Sequence, residues 1–280
     1  MKMEFNNASF TLLMLGILIS SIRGYVLSTQ YTSKAFNHRQ MFLVLHYTVA
    51  DFEKSLNILT TQLSSHYLVP EGLKNGERVV YRLVPEDKRA WTQGVSQWGN
   101  RANLNDQGVS IEIVNRGYTV NADGSKHWYP FTKPQVASII ELAQDIVQRY
   151  GIKPYNVIGH SDCAPTRKED PGPLFPWKTL YDHGIGAWPE MSDVKEFKEI
   201  LARQKKFVVA EYQQALSSYG YDLNVSGVLD VQTKAVVSRF QMHFRPKRFD
   251  GVMDVETFAI LKALLRKYFL KYKKITISSD

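Results

Sequence analysis

Three short β-prone runs each carry one residue able to bind a metal or move a proton. In residues 41–46 (MFLVLH), His46 closes the run and shares a face with Val44 and Phe42; in 109–114 (VSIEIV), Glu112 faces opposite to Ile111 and Ile113; in 156–160 (NVIGH), His160 ends the run. Each has an ordinary explanation alone, because a strand-end histidine is usually a hydrogen-bonded rim residue and a lone glutamate in a strand usually faces solvent. Three such runs in one chain point elsewhere, since neighbouring strands can converge on one site. The segment after the third run, His160 to Gly172, is Pro-rich and has little room for regular structure, so it can fold back over its own strand end. Asp170 could then reach a metal held by His46 and His160, although Asp-Pro-Gly is also turn chemistry in its own right. Two histidines and one carboxylate form a standard catalytic zinc set with a fourth position left for water. The single cysteine, Cys163, excludes an intramolecular disulfide and any Cys₄ or Cys₂His₂ zinc site.

The elements that must position these residues alternate. Apolar residues Val136, Ile139, Ile140, Ala143, Ile146, Val147 and Tyr150 repeat at helical spacing, with Thr132 as a cap, Pro134 in the first turn and Gly151 beyond the end. A second helix is expected from Phe52 to Leu63. Strands alternating with helices predict a mixed-sheet α/β domain over residues 25–188. The last third differs. Val208, Val209, Tyr212, Ala215, Leu216 and Tyr219 form a helical stripe closed by Gly220, and Ser226–Val236 then repeats as Asp250–Ile260 at an offset of 24. Each copy reads as a Gly turn, an Asp N-cap (Asp230, Asp254) and an amphipathic helix. This predicts a small all-α three-helix module at 206–272, a charge-rich linker at 189–205 and a tail at 273–280. All candidate site residues precede Pro189, so the catalytic half is expected to fold without the module, which is assigned binding and no chemistry.

The chain has 280 residues, 44% of them hydrophobic and 22% charged, which excludes wholesale disorder. A net charge of +8 suits an anionic partner: nucleic acid, a membrane surface or a carboxylate-rich polymer. No phosphate-binding Gly loop or DNA-reading motif is present to support a nucleic-acid partner. The apolar run Phe10–Ile22 is shorter than the ~20 residues of a membrane-spanning helix and matches the apolar region of a signal peptide, here placed at 1–24. No cysteine follows it for lipid attachment. The expected product is a periplasmic or secreted, envelope-associated monomer with no stable transmembrane span.

The segments VLHYT around His46, SIEIVN around Glu112 and GHSDCAPTRKEDPGPLFPW (159–177) resemble the type 2 N-acetylmuramoyl-L-alanine amidases, a family that includes phage amidases and animal peptidoglycan-recognition proteins. The resemblance covers about residues 39–182, and the repeat module looks like the peptidoglycan-binding domain often appended to such enzymes. It implies that His46, His160 and Asp170 bind one Zn²⁺ and that Glu112 and Lys168 act on water and on the developing oxyanion. In the recognition-protein branch the third ligand is a Cys before Pro-Gly; here that place is Asp170, and Cys163 lies elsewhere. Many members have AWHAG where this chain has Ala90-Trp91-Thr92-Gln93-Gly94.

The implied activity is hydrolysis of the amide between N-acetylmuramic acid, in intact or anhydro form, and L-alanine, on peptidoglycan or muropeptides. The alternatives are a recognition protein that binds without cleaving and a zinc metallopeptidase acting within the stem peptide. All five expected positions are filled, which favours an enzyme over a recognition protein. Three further residues are candidate substrate contacts: His66 at a family position near the substrate, with a surface histidine as the alternative; Trp91 as a platform for a sugar ring; and Asn115, which would orient Glu112 or touch the stem peptide. Trp98 offers a similar platform, and core packing is the default for both tryptophans.

Overall fold

The computed structural model describes residue 25, residues 27–204 and residues 208–272. The expected signal peptide at 1–24 and the tail at 273–280 lie outside the described residues. No helix among those described is long and apolar enough to cross a membrane. The described residues 27–37 carry no helix or strand and precede the larger unit, which starts at His38.

The larger unit begins with β1 (Phe42–Tyr47), α1 (Phe52–Thr61), β2 (Tyr67–Val69) and β3 (Tyr81–Arg82). A small hairpin, β4 (Gln97–Trp98) and β5 (Arg101–Ala102), precedes β6 (Gly108–Ile113). A second hairpin, β7 (Tyr118–Val120) and β8 (Lys126–Trp128), leads to α2 (Lys133–Tyr150), then β9 (Val157–Gly159) and the single-turn α3 (His160–Cys163). Five helices follow: α4 (Trp177–Asp182), α5 (Met191–Ala202), α6 (Val209–Tyr219), α7 (Val231–Phe244) and α8 (Val255–Tyr268).

The main sheet has the order β3-β2-β6-β1-β9, with β2, β6, β1 and β9 parallel and β3 antiparallel at one edge. Alternation along these strands builds two cores. Leu43, Leu45, Val109, Ile111 and Ile113 face Ile139, Ala143 and Ile146 of α2. Each such side chain, fully buried, contributes ~1.5–3 kcal/mol of transfer free energy. Helix α2 starts as its sequence predicts, with Thr132 and Gln135 forming a reciprocal capping box, and ends on Gly151 in the left-handed region at φ 63°.

The other face of the sheet carries Phe42, Val44 and Ile158, and these join one core with Trp98, Cys163, Tyr219, Tyr221, Phe240 and Phe244. The C-terminal helices are therefore packed onto the sheet. The apolar stripe read as the module's own serves both parts: Trp98 is buried edge-on against Tyr219 and Tyr221, not free to stack on a sugar. The expected linker at 189–205 also differs from the structure. Most of it is helix α5, whose Val194, Phe197 and Leu201 are buried and whose Asp193 and Glu196 pair with Arg266 of α8. Three apolar residues at helical spacing were hidden among charges, and burial of that thin stripe makes the segment a packed element.

Both repeat copies are capped as expected, Asp230 accepting from the Thr233 N–H and Asp254 from the Thr257 N–H. Each turn is also locked by a buried glutamine. Gln213 Nε2 donates to the Val228 carbonyl and its Oε1 accepts from the Gly227 N–H; Gln241 does the same with Val252 and Gly251. Gly251 is required there, since a Cβ would sit 2.7 Å from the Lys234 carbonyl oxygen.

Candidate metal centre and catalytic cleft

Parallel strands bring their C-terminal ends together, and three of the candidate residues sit at such ends. His46 of β1 is in register with Glu112 of β6, so the two share a face, and β9 runs directly into α3, whose first residue is His160. The fourth arrives by the returning loop. Gly159 permits its approach, because a Cβ there would meet Pro171 Cδ at 2.7 Å, and the Ser161 N–H donates to the Asp170 carbonyl at 2.8 Å.

The result is a compact triangle. His46 Nδ1 lies 3.0 Å from His160 Nδ1, and each lies 3.1 Å from Asp170 Oδ2. Among the described residues these three form a buried group able to hold a metal ion. The tautomer of His160 follows from its partner: Nε2–H donates to the Gln93 carbonyl at 2.9 Å, which leaves Nδ1 as a lone pair. That lone pair and a carboxylate oxygen then face each other at close range without a proton of their own to share. Convergent acceptors of this kind fit a bound cation.

The electrostatics agree. Burial, and then His160, push His46 down to about 4, so its imidazole is neutral at neutral pH. Burial acts to raise Asp170, but His160 and His46 outweigh it and hold the carboxyl well below its usual range. Glu112 Oε1 is 4.0 Å from His46 Nδ1, and Oε2 is buried without a hydrogen-bond partner. Burial, and then Asp170, push Glu112 up to about 8, opposed by Lys168. In the metal-free protein, Glu112 therefore keeps its proton when folded at pH values where the unfolded chain has lost it. Its contribution is fully present below pH 4.5 and falls as pH rises to about 8. Chemical denaturation of metal-free protein as pH rises from 6.5 to about 8 should show this loss, with His46 contributing to the slope only at the lower end, where the unfolded imidazole is still partly charged. Glu112→Gln should flatten it, and equal slopes in the two proteins would place the titrating group elsewhere.

A cleft of about 170 Å³ opens over these groups, lined by Tyr47, Val49, Thr92, Glu112, Lys168 and Asp170 among others. The structure thus brings together His46, Glu112, His160, Lys168 and Asp170. It does not bring the three candidate substrate contacts. His66 is buried, with Nδ1 accepting from the Ser110 N–H and Nε2 donating to the Lys88 carbonyl, so both ring nitrogens are used inside the protein. Asn115 is buried too, bonded to the Tyr129 and Pro130 carbonyls and the Gly117 N–H, where it shapes the turn before β7. Trp91 is exposed and outside the cleft lining; its backbone N–H donates to Ser64 Oγ.

Thr92 lines the cleft and is held by Ser110 Oγ, which in turn meets His66. One feature escaped the sequence. The Gln93 carbonyl accepts from both His160 and Arg167. A backbone acceptor leaves no mark in residue types. Cys163 is buried, its thiol pushed up by burial, and it is not among the converging donors.

Residues 37–173 match the family described as N-acetylmuramoyl-L-alanine amidase, and residues 208–261 match a putative peptidoglycan binding domain. The chain is 44% identical over 248 residues, 88% of its length and 89% of the relative's, to the N-acetylmuramoyl-L-alanine amidase AmiD of Escherichia coli (strain K12). The structure of AmiD in complex with the substrate anhydro-N-acetylmuramic acid-L-Ala-D-gamma-Glu-L-Lys superposes with a TM-score of 0.81, covering 88% of this chain and 96% of that one. AmpDH3 from Pseudomonas aeruginosa, solved with an anhydromuramic pentapeptide, gives a TM-score of 0.82 at 41% identity, covering 88% and 99% of the two chains. With likeness extending through sheet, cleft and C-terminal helices alike, this chain belongs to the N-acetylmuramoyl-L-alanine amidase family.

Proposed function

We propose that this amidase is zinc-dependent, with one Zn²⁺ held by His46, His160 and Asp170, and that it cleaves the amide between the lactyl group of N-acetylmuramic acid and L-alanine, anhydro-muramyl peptides included. The observation that carries this is the convergence of the two Nδ1 atoms and Asp170 Oδ2 within about 3 Å, beneath a cleft that also holds Glu112 and Lys168. Zinc at such a site supplies Lewis acidity and lowers the pKa of water from 15.7 toward about 7. Glu112, with one carboxylate oxygen unpartnered, accepts the proton of the attacking water as its oxygen bonds to the lactyl carbonyl carbon. The same carboxyl returns that proton to the alanine nitrogen as the C–N bond breaks, so a carboxylic acid and a free amine leave. Lys168 places a cation in the cleft wall, where charge on the former carbonyl oxygen develops.

The positive charge of the chain suits carboxylate-bearing stem peptides. The helical region raises local substrate concentration by tethering to the wall. A wall substrate is met in the periplasm or outside the cell, and the apolar run Phe10–Ile22 supports that location. Mass spectrometry of digests of purified peptidoglycan and of anhydro-muramyl tripeptide tests the bond assignment. The expected products are intact stem peptides with a free L-alanine amine and muramyl sugars lacking peptide. Stem fragments cut internally would instead make the protein a metallopeptidase.

A further inference from the structure

We infer that Tyr221, Arg239 and His243, all supplied by the C-terminal region, are positioning residues for the amidase reaction: they hold the loop that carries His160, Lys168 and Asp170. This rests on the reading of those three loop residues as ligands and oxyanion group. The loop is anchored on both sides. Toward the sheet half, Arg167 donates to the Gln93 and Val95 carbonyls at 2.8 and 2.6 Å. Toward the C-terminal helices, two separate clamps act.

The first clamp grips Asp162, a buried carboxylate in the turn directly after His160. Its Oδ2 accepts from the Gly159 N–H and from His243 Nδ1–H, each at 2.8 Å, and its Oδ1 accepts from the Tyr221 hydroxyl at 2.6 Å. A buried carboxylate left short of donors costs free energy, so these bonds fix the turn. The His243 ring has no freedom to drift, since it is stacked between Trp177 at 3.8 Å and Phe244 at 4.0 Å. The second clamp is Arg239 of α7. Its Nε donates to the Lys168 carbonyl at 2.9 Å and to the Pro165 carbonyl at 3.3 Å, while Nη2 pairs with Glu169 at 3.1 Å. One guanidinium therefore fixes the backbone at Lys168 and the side chain of the residue after it.

None of the three lines the cleft, so none is a catalytic residue. Their effect passes through the loop. Misplacement of catalytic groups by about 1 Å costs on the order of 100-fold in rate. The C-terminal region accordingly has a second role beside wall binding, and the active site depends on it.

The test uses the full-length protein with Tyr221→Phe, which removes one hydroxyl, Arg239→Met, which keeps the stem and removes the donors, and the pair His243→Ala and His243→Asn. Turnover on soluble anhydro-muramyl tripeptide avoids wall binding altogether. Assays run well below each variant's Tm, with zinc affinity read by chelator competition and ligand geometry by the absorption bands of the cobalt-substituted protein. Positioning predicts kcat lower by about 10- to 100-fold with KM within about twofold, weaker metal retention and shifted cobalt bands. His243→Asn, which restores a donor toward Asp162, should recover most of what His243→Ala loses. Variants that lower Tm alone, with wild-type kcat per bound metal and unshifted cobalt bands, would reduce these contacts to packing and overturn the proposal. Failure of the underlying site assignment looks different: wild-type protein active after chelation, or Lys168→Ala turning over normally.

Discussion

Glu112→Gln is expected to lower kcat by roughly 10²–10⁴ while zinc content stays at the wild-type level. The amide keeps the shape of the carboxyl and removes its capacity to take a proton. Geometry separates this residue from the proposed metal ligands: its nearer oxygen is 4.0 Å from His46 Nδ1, whereas the three converging donors lie 3.0–3.1 Å apart. Its protonation is tied to the metal. Without one, burial and Asp170 push Glu112 up to about 8, a value at which it would be largely a poor base at neutral pH. A divalent cation between the three ligands opposes both causes, by adding positive charge nearby and by offsetting the charge of Asp170. The pH profile of kcat/KM in the zinc-loaded enzyme should therefore rise at a pH well below 8, and this limb should vanish in Glu112→Gln. Steady-state kinetics with metal analysis of the same preparation decides it. A glutamine variant with normal turnover and full zinc would move the base to another group.

The strand positions of the candidate residues were legible in the sequence because their logic is local to strands. Period-two alternation set His46 with Val44 and Phe42, and Glu112 opposite to Ile111 and Ile113; the parallel register that puts the two side by side was not readable from the runs alone. Asp170 was a candidate for a different reason: beyond the single turn α3 (His160–Cys163) its Pro-rich loop has little room for regular structure, and the loop returns over the strand end, where Gly159 leaves space. The caps at Thr132, Asp230 and Asp254 follow from side-chain chemistry within three residues, where sequence distance equals spatial distance.

What stayed hidden depends on contacts between distant segments. His66 and Asn115 have the polar side chains of substrate contacts, but Ser110, Lys88, Tyr129 and Pro130, which hold them, lie 14–44 residues away in sequence. The C-terminal helices looked self-contained, because an apolar stripe says that a face is buried and not against what. Tyr219 and Tyr221 meet Trp98 across more than a hundred residues. Helix α5 was obscured by composition, its buried Val194, Phe197 and Leu201 being outnumbered by charges that remain in solvent. Gln213 and Gln241 recur at an offset of 28, outside the 24-residue repeat that the turn and cap residues define, so each lay ahead of its copy and out of the repeat's register.

Removing the metal should abolish hydrolysis altogether, and Asp170→Ala should do so by emptying the site. Purified protein is expected to hold about one zinc per chain, to lose activity on chelation and to regain it when zinc is returned. In the proposed set Asp170 would supply the negative charge; the other two members are imidazoles, with His46 kept neutral by burial and by His160. Alanine at 170 leaves two nitrogen donors 3.0 Å apart with no carboxylate to offset a divalent charge in a buried place. Metal occupancy should fall steeply, and added zinc should restore little activity. Cys163→Ser provides the contrast. The thiol is buried, directed to the His160 carbonyl at 3.5 Å and held in its protonated form by burial, whereas a zinc-binding cysteine must be a thiolate. Serine there should leave zinc content and turnover near the wild-type level. If instead Cys163→Ser empties the site while Asp170→Ala keeps its zinc, the third ligand is the sulfur, and the returning loop serves only to shape the cleft.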